Sequence, residues 1–255
     1  MLVALEVAAR EAGLFTSVVA LDRFGADDVA SAFDHFSSLA AEAIVVIAPV
    51  DSLAEAVASQ GASVPVVAVS GGRTFGRGVS VVHADQRGGA RALAEHLMSL
   101  GHRDIACVAG PQEWFEARER VAGWREAMDE AGLVKREPLV GSWEARWGYV
   151  AGQNLVEDGL PDAVMCANDE VAVGLLRAFA EARVSVPGDV SVAGFDDVPM
   201  AAYAGPGLTT VRQDFADLGR CALEAVSRAL DGEAVDTFVR PTRLVVRGST
   251  GVCAR

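Results

Sequence analysis

SVAGFDDVPMAAYAGPGLTTVRQDFADLGRCALEAV, residues 191–226, decides the fold. It opens on a short apolar run without polar alternation, the pattern of a strand buried on both faces. Two adjacent carboxylates, Asp196 and Asp197, end that run. A loop and TTVRQ follow. Then Leu218, Ala222, Ala225, Val226 and Ala229 recur at the spacing of one helix face. A buried strand that delivers carboxylates at its carboxyl end and leads to an amphipathic helix is a building unit of an open α/β sheet.

The same alternation extends in both directions. Strand candidates are Ser17–Leu21, Ile44–Ala48, Val64–Val69, Ile105–Ala109, Pro138–Gly141, Ala163–Ala167, Val190–Gly194 and Leu244–Val246. Most are continuous apolar runs, which argues for parallel sheets covered on both sides. Asp85 reads as an N-cap, Ala90, Leu93, Ala94, Leu97 and Met98 form one stripe, and Gly101 ends that helix. Val121, Trp124, Met128 and Ala131 mark the next helix, and Val171, Leu175, Ala178, Phe179 and Ala182 another. Strands alternating with helices imply right-handed βαβ units, hence an α/β fold of doubly wound type.

The pattern restarts near Asp85, so two similar lobes are expected rather than one long sheet. The late helix and the late strand each complete an earlier lobe. The expected division is 1–83 plus 212–236 for the first lobe and 84–211 plus 237–255 for the second. Several crossovers between lobes would form a hinge with a ligand cleft between them. Met1–Gly13 reads as a helix with no strand before it, which leaves Ser17–Leu21 without a neighbour. Met1 is therefore expected to be an internal residue of a longer natural chain.

Bulk composition narrows the function classes. The formal net charge is −13, and Lys and Arg are scattered rather than gathered in a patch, so this chain by itself is a poor nucleic-acid binder. No apolar run reaches the roughly 18 residues that a membrane span needs. The start MLVALEVAAREAGL lacks the basic region and cleavage site of a signal peptide, which points to the cytoplasm. Cys107, Cys166, Cys221 and Cys253 show no CxxC or Cys/His spacing; reduced thiols are expected, with no metal and no cofactor.

In open α/β sheets, ligands bind beyond the carboxyl ends of the strands. In the second lobe those ends deliver Arg120, Trp143, Asn168 and Asp196. A guanidinium fork, an aromatic face, an amide and a carboxylate suit a polyhydroxylated ligand, whose ring has an apolar face and whose hydroxyls donate and accept. Structural roles compete with this reading. Asn168 and Asp169 both precede a helix, and Asp169 is expected to cap it while Asn168 faces the cleft.

Several longer runs resemble the lactose/galactose-repressor family of bacterial transcription regulators. They include ADQRGGARALAEHLMSLGHRDIACVAG, EARERVAGWREAMDEAGL, AVMCANDEVAVGLLRAF, and GFDD followed by LTTVRQD. The resemblance runs from AAREAGLFTSVVAL to FVRPTRLVVRGST. It implies two Rossmann-like lobes with parallel sheets, of the type I periplasmic-binding-protein-like kind. It implies ligand contacts at Arg120, Trp143, Asn168, Asp196 and Gln213, with Ser70 and His83 from the first lobe. It also implies a homodimer, a carbohydrate effector, and operator DNA bound only through an N-terminal helix-turn-helix domain absent from this chain. Trp143 together with Asp196 suits a sugar better than a purine.

Other signals in the sequence are weaker. GGRTFGRG, Gly71–Gly78, is glycine-rich but lacks the GK[ST] ending of a phosphate loop. His102 falls in a helix-to-strand turn and reads as structural. No Ser/His/Asp or Cys/His arrangement suggests a nucleophile, so no enzyme is expected. The rival function is a sugar-binding protein of a transport system.

Overall fold

Residues up to Asp85 form α1 (Leu2–Glu11), α2 (Ala26–Ser38), β1 (Ile44–Ile47), α3 (Asp51–Ser59), β2 (Val66–Val69) and β3 (Val79–Ala84). Next come α4 (Gln86–Ser99), β4 (Ile105–Ala109), α5 (Phe115–Glu130), β5 (Leu139–Val140) and α6 (Ala145–Asp158). They are followed by β6 (Ala163–Cys166), α7 (Asp169–Glu181), β7 (Ser191–Asp196), a 3₁₀ turn (Pro199–Tyr203) and β8 (Thr209–Arg212). The chain closes with α8 (Phe215–Leu230), β9 (Thr237–Arg240) and β10 (Arg243–Val245). This computed structural model describes all residues except 22, 61–62, 72–74, 76–77, 234–235 and 254–255.

Two packing units result. The first comprises Met1–Asp85 and Asp214–Arg240, and the second Gln86–Gln213 and Pro241–Arg255. The first unit holds a parallel sheet in the order β1-β2-β3-β9. Leu5 of α1 and Leu218, Cys221, Ala222, Ala225 and Val226 of α8 cover it through Val67, Val82 and Ala84.

The second unit holds a six-stranded sheet in the order β10-β8-β7-β6-β4-β5. Its strands are parallel except β10, which runs antiparallel to β8. Alternate residues of each strand feed opposite cores. Ile105, Cys107 and Ala109 pack with Leu93, Leu97, Trp124 and Met128 of α4 and α5. Ala106 and Val108 pack with Leu155, Leu175 and Phe179 of α6 and α7. A strand covered on both faces has no polar side, which is why IACVA is continuously apolar.

Four sequence expectations need correction. Ser17–Leu21 forms no strand, and Val18 and Val19 are 50% and 36% exposed. An apolar run becomes a strand only when a neighbour accepts its ladder, and none among the described residues does so. Thr237–Arg240, expected in the second lobe, pairs in parallel with β3 of the first unit, where Val82 faces Phe238. The last strand is an antiparallel edge rather than a parallel one. Strands β3 and β9 were not foreseen; β3 carries Ser80 and His83, and β9 alternates exposed with half-buried residues, so neither reads as an unbroken apolar run.

Among the described residues no helix is long and apolar enough to cross a membrane. Most of Gly71–Gly78 lies outside the described residues.

Candidate functional site

Four parallel strands of the second unit end at a residue of the candidate site or within three residues of one, and the fifth, β4, leads into the helix that carries another. Beyond β4 stands α5 with Arg120; beyond β5, Trp143; beyond β6, Asn168; at the tip of β7, Asp196; and beyond β8, Gln213. Arg120, Asn168 and Gln213 are only 5%, 8% and 8% exposed, so their polar groups need partners inside the protein.

Four side chains meet that need in a closed ring. Arg120 Nε donates to Gln86 Oε1 at 2.9 Å, and Gln86 Nε2 donates to Gln213 Oε1 at 2.7 Å. Gln213 Nε2 donates to Asp196 Oδ1 at 2.7 Å, and Arg120 Nη2 closes the circuit on the same oxygen at 3.1 Å. Arg has only donors and an ionised Asp only acceptors, so both amides must run donor-forward from Arg120 to Asp196. Every member thereby fixes the orientation of the next. Gln86 was not among the sequence candidates. It opens a helix that follows a strand of the first unit, so it lies away from the second-lobe strand ends at which the sequence places ligand contacts.

Arg120 is held further. Its Nη1 donates to the Ala167 carbonyl, and its guanidinium stacks 3.9 Å from the Phe195 ring centroid and 5.5 Å from that of Trp143. Trp143 also meets Trp114 edge-on, with centroids 5.7 Å apart and planes at 76°. A Cβ at Gly110 would lie 2.8 Å from the Trp143 ring, so only glycine at the end of β4 lets the indole sit there.

Asp196 has φ +104, a backbone conformation that L-residues rarely adopt. Such strain costs about 1–3 kcal/mol and persists where the surroundings over-determine it. Here the ring and the register of Asp196 with Arg212 on β8 do so. Both ring bonds fall on Oδ1. Oδ2 receives none among the described residues, and the side chain remains 23% exposed. The carboxylate is thus fixed by one oxygen and offers the other.

Two further acids serve the scaffold. Asp197 binds Arg212 and Arg247; burial alone would raise its carboxyl, but these two cations outweigh that and hold it below the usual range. Asp169 is fully buried, and accepts from Thr210 Oγ1 at 2.6 Å and the Val198 amide at 2.8 Å. Burial pushes its carboxyl up to about 6. A Cβ at Gly194 would fall 2.2 Å from Asp169 Oδ1, so the glycine in AGF makes room for this clamp.

The capping expectation is reversed. Asn168 is the N-cap of α7, its Oδ1 accepting from the Val171 amide at 2.8 Å, and its Nδ2 donates to the Trp143 carbonyl at 3.1 Å. Asn168 therefore aligns the strand end that carries Trp143, while Asp169 turns inward. The remaining two sequence candidates belong to the first unit. Ser70 follows β2 and is buried, its Oγ lacking a partner among the described residues. His83 lies in β3, its Nδ1 donating to the Ala84 carbonyl at 3.0 Å.

Residues 94–250 match the family described as periplasmic binding protein-like domain. The chain belongs to that family. Within it, the chain is 29% identical to the lactose operon repressor of Escherichia coli K12, over 97% of this chain and 69% of that protein. Matches to several other curated relatives span about half of each relative's length. Among solved structures, the lac repressor dimer bound to operator and the anti-inducer ONPF superimposes with a TM-score of 0.87 at 29% identity, covering 98% of this chain and 88% of that one. A complex of the transcriptional regulator CelR with cellobiose gives 0.86 at 28% identity, covering 97% and 77%. This family member thus resembles the lactose operon repressor in fold and in sequence.

Proposed function

We propose that this chain senses a small carbohydrate effector for a lactose-repressor-type transcription regulator. The effector binds at the carboxyl ends of β4–β8 without being transformed. The carrying observation is the closed Arg120–Gln86–Gln213–Asp196 ring, which holds a carboxylate oxygen, Asp196 Oδ2, ready to accept hydroxyl protons. Trp143 supplies an apolar ring face for a sugar. The ring fixes donors and acceptors but sets no nucleophile beside a base, which favours binding over catalysis. The operator-bound repressor dimer and the cellobiose complex among the similar structures support the same reading.

In this reading the intact regulator is a cytoplasmic homodimer that reaches operator DNA through a separate DNA-binding domain. The effector shifts it between states only by its differential affinity for them. The test is a thermal-shift screen of the purified chain against sugars and nucleosides. A selective sugar hit is expected. A purine nucleoside hit with no sugar hit would overturn the carbohydrate assignment.

A further inference from the structure

Charge at the site limits which carbohydrate can enter. Among the described residues Arg120 is the site's only buried guanidinium, and three of its N–H groups already serve Gln86, Ala167 and Asp196. Phe195 and Trp143 lie against its faces. Other cations at this end of the second unit are engaged as well. Arg212 and Arg247 bind Asp197, and Arg118 donates to the Gln112 and Glu113 carbonyls while lying 4.9 Å from the Phe115 ring centroid. Arg146 is exposed in the first turn of α6.

The acids are arranged the other way. Asp196 presents Oδ2, as described. Glu116 lies one helical turn before Arg120 on α5, and i, i+4 residues share a helix face. Its Oε2 is buried and has no hydrogen-bond partner among the described residues. A buried polar atom of that kind calls for an explanation. Trp143 Nε1 is in the same condition. Burial raises the Glu116 carboxyl; Arg120 opposes that rise and Asp196 adds to it, so the three groups share one electrostatic environment.

Resting on the carbohydrate reading above, we infer that the effector is an uncharged or cationic sugar, and that Glu116 and Asp196 together reject phosphorylated and carboxylated sugars. Arg120 is no phosphate clamp, because its fork closes on the protein's own carboxylate. A ligand phosphate or carboxylate at Asp196 Oδ2 would meet one carboxylate, with a second acid, Glu116, one turn from Arg120, and among the described residues no uncommitted buried cation offsets them; like charges at contact distance are strongly unfavourable.

The experiment titrates the whole chain with matched sets built on glucose and galactose, read by thermal shift and tryptophan fluorescence. Each set holds the free sugar, its primary-hydroxyl phosphate, its uronic acid and its amino derivative; lactose and cellobiose are added as neutral disaccharides. The result expected is binding of neutral or amino members, with the phosphate and uronic acid about tenfold or more weaker. In Glu116→Gln the discrimination narrows, the acidic member gaining on its neutral parent by several-fold. Because that readout is a ratio within one variant, a general loss of stability does not mimic it. An acidic member that binds as tightly as its parent overturns the charge inference and leaves the carbohydrate reading intact. Binding by no sugar in the panel overturns the carbohydrate reading, and this inference with it.

Discussion

Gln86 Nε2 donates to Gln213 Oε1 at 2.7 Å, joining two buried amides that lie 127 positions apart in the chain. Gln86 is the first residue of the second unit after the chain leaves the first, and Gln213 is the last before it returns. The bond therefore sits where the chain passes from one packing unit to the other, and it completes the ring around Asp196. Its direction is imposed by Arg120 at one end and Asp196 at the other.

That direction yields the first prediction. Gln86→Glu keeps the shape and can still accept from Arg120, but it has no proton for Gln213 Oε1. Gln86→Leu leaves Arg120 Nε and Gln213 Oε1 unpaired in a buried setting, at about 1–3 kcal/mol for each group. Both variants should melt lower in denaturant titrations and bind effector more weakly, although Gln86 acts through its neighbours. Wild-type stability in both would show that the ring does not hold the site.

Arg120→Ala breaks a buried ion pair, with side chains 6% and 23% exposed. Removing one partner of such a pair costs about 3–5 kcal/mol, because the other charge is left uncompensated. We expect Arg120→Ala to lose stability and effector binding together. Asp196→Asn should lose mainly binding, because an amide can still accept through one oxygen but cannot supply two acceptors. The pair of chemical-denaturation curves and titrations separates these outcomes.

Asp169 predicts a pH dependence. Its folded-state carboxyl lies near 6 against an ordinary 3.8, raised chiefly by burial. Between those values the folded state holds the proton more tightly than the unfolded state. Its contribution to stability is therefore greatest below about pH 4 and declines as pH rises to about 6. Asp197, held low by Arg247 and Arg212, acts in the opposite sense: its stabilisation is present above the ordinary carboxylate range and is lost as pH falls through its depressed value. Asp169→Asn should flatten the decline between pH 4 and 6 in urea melts. An unchanged slope would remove Asp169 as its source.

Trp143 should report the effector. It is half-buried beside Arg120 and Trp114, whereas Trp124 lies fully buried in the core. Ligand-induced fluorescence change should be lost in Trp143→Phe and kept in Trp147→Phe. Trp147 is anchored by donation from its Nε1 to the Ala109 carbonyl at 3.1 Å.

Much of this was legible in the sequence where burial is two-sided. IACVA, AVMC and SVAGF show no polar alternation because both faces meet helices, so their strands and carboxyl ends could be located, and with them Arg120, Asn168 and Asp196; Trp143 instead follows β5, a short strand with one half-buried and one exposed residue. Residues whose placement depends on partners distant in sequence were harder. Gln86 joins the ring through Gln213 and Arg120, and nothing in ADQRGG states that pairing. Asn168 and Asp169 are both competent caps, and the choice is made by Thr210 and Val198, which capture Asp169. Thr237–Arg240 gains its strand from long-range pairing with β3, whereas Ser17–Leu21 joins no ladder among the described residues although β1 is an open edge of the first sheet.

The most direct test of the central claim is calorimetric titration of wild-type chain and Asp196→Asn with the same sugar hit from the thermal-shift screen. At about 100 times its dissociation constant such a ligand adds about 2.7 kcal/mol of stability, so a true hit is readily seen. The account predicts that Asp196→Asn stays folded and binds the sugar at least about tenfold more weakly, the loss of roughly one strong hydrogen bond to a charged acceptor. Equal affinity in the two proteins would place the effector elsewhere and contradict the site.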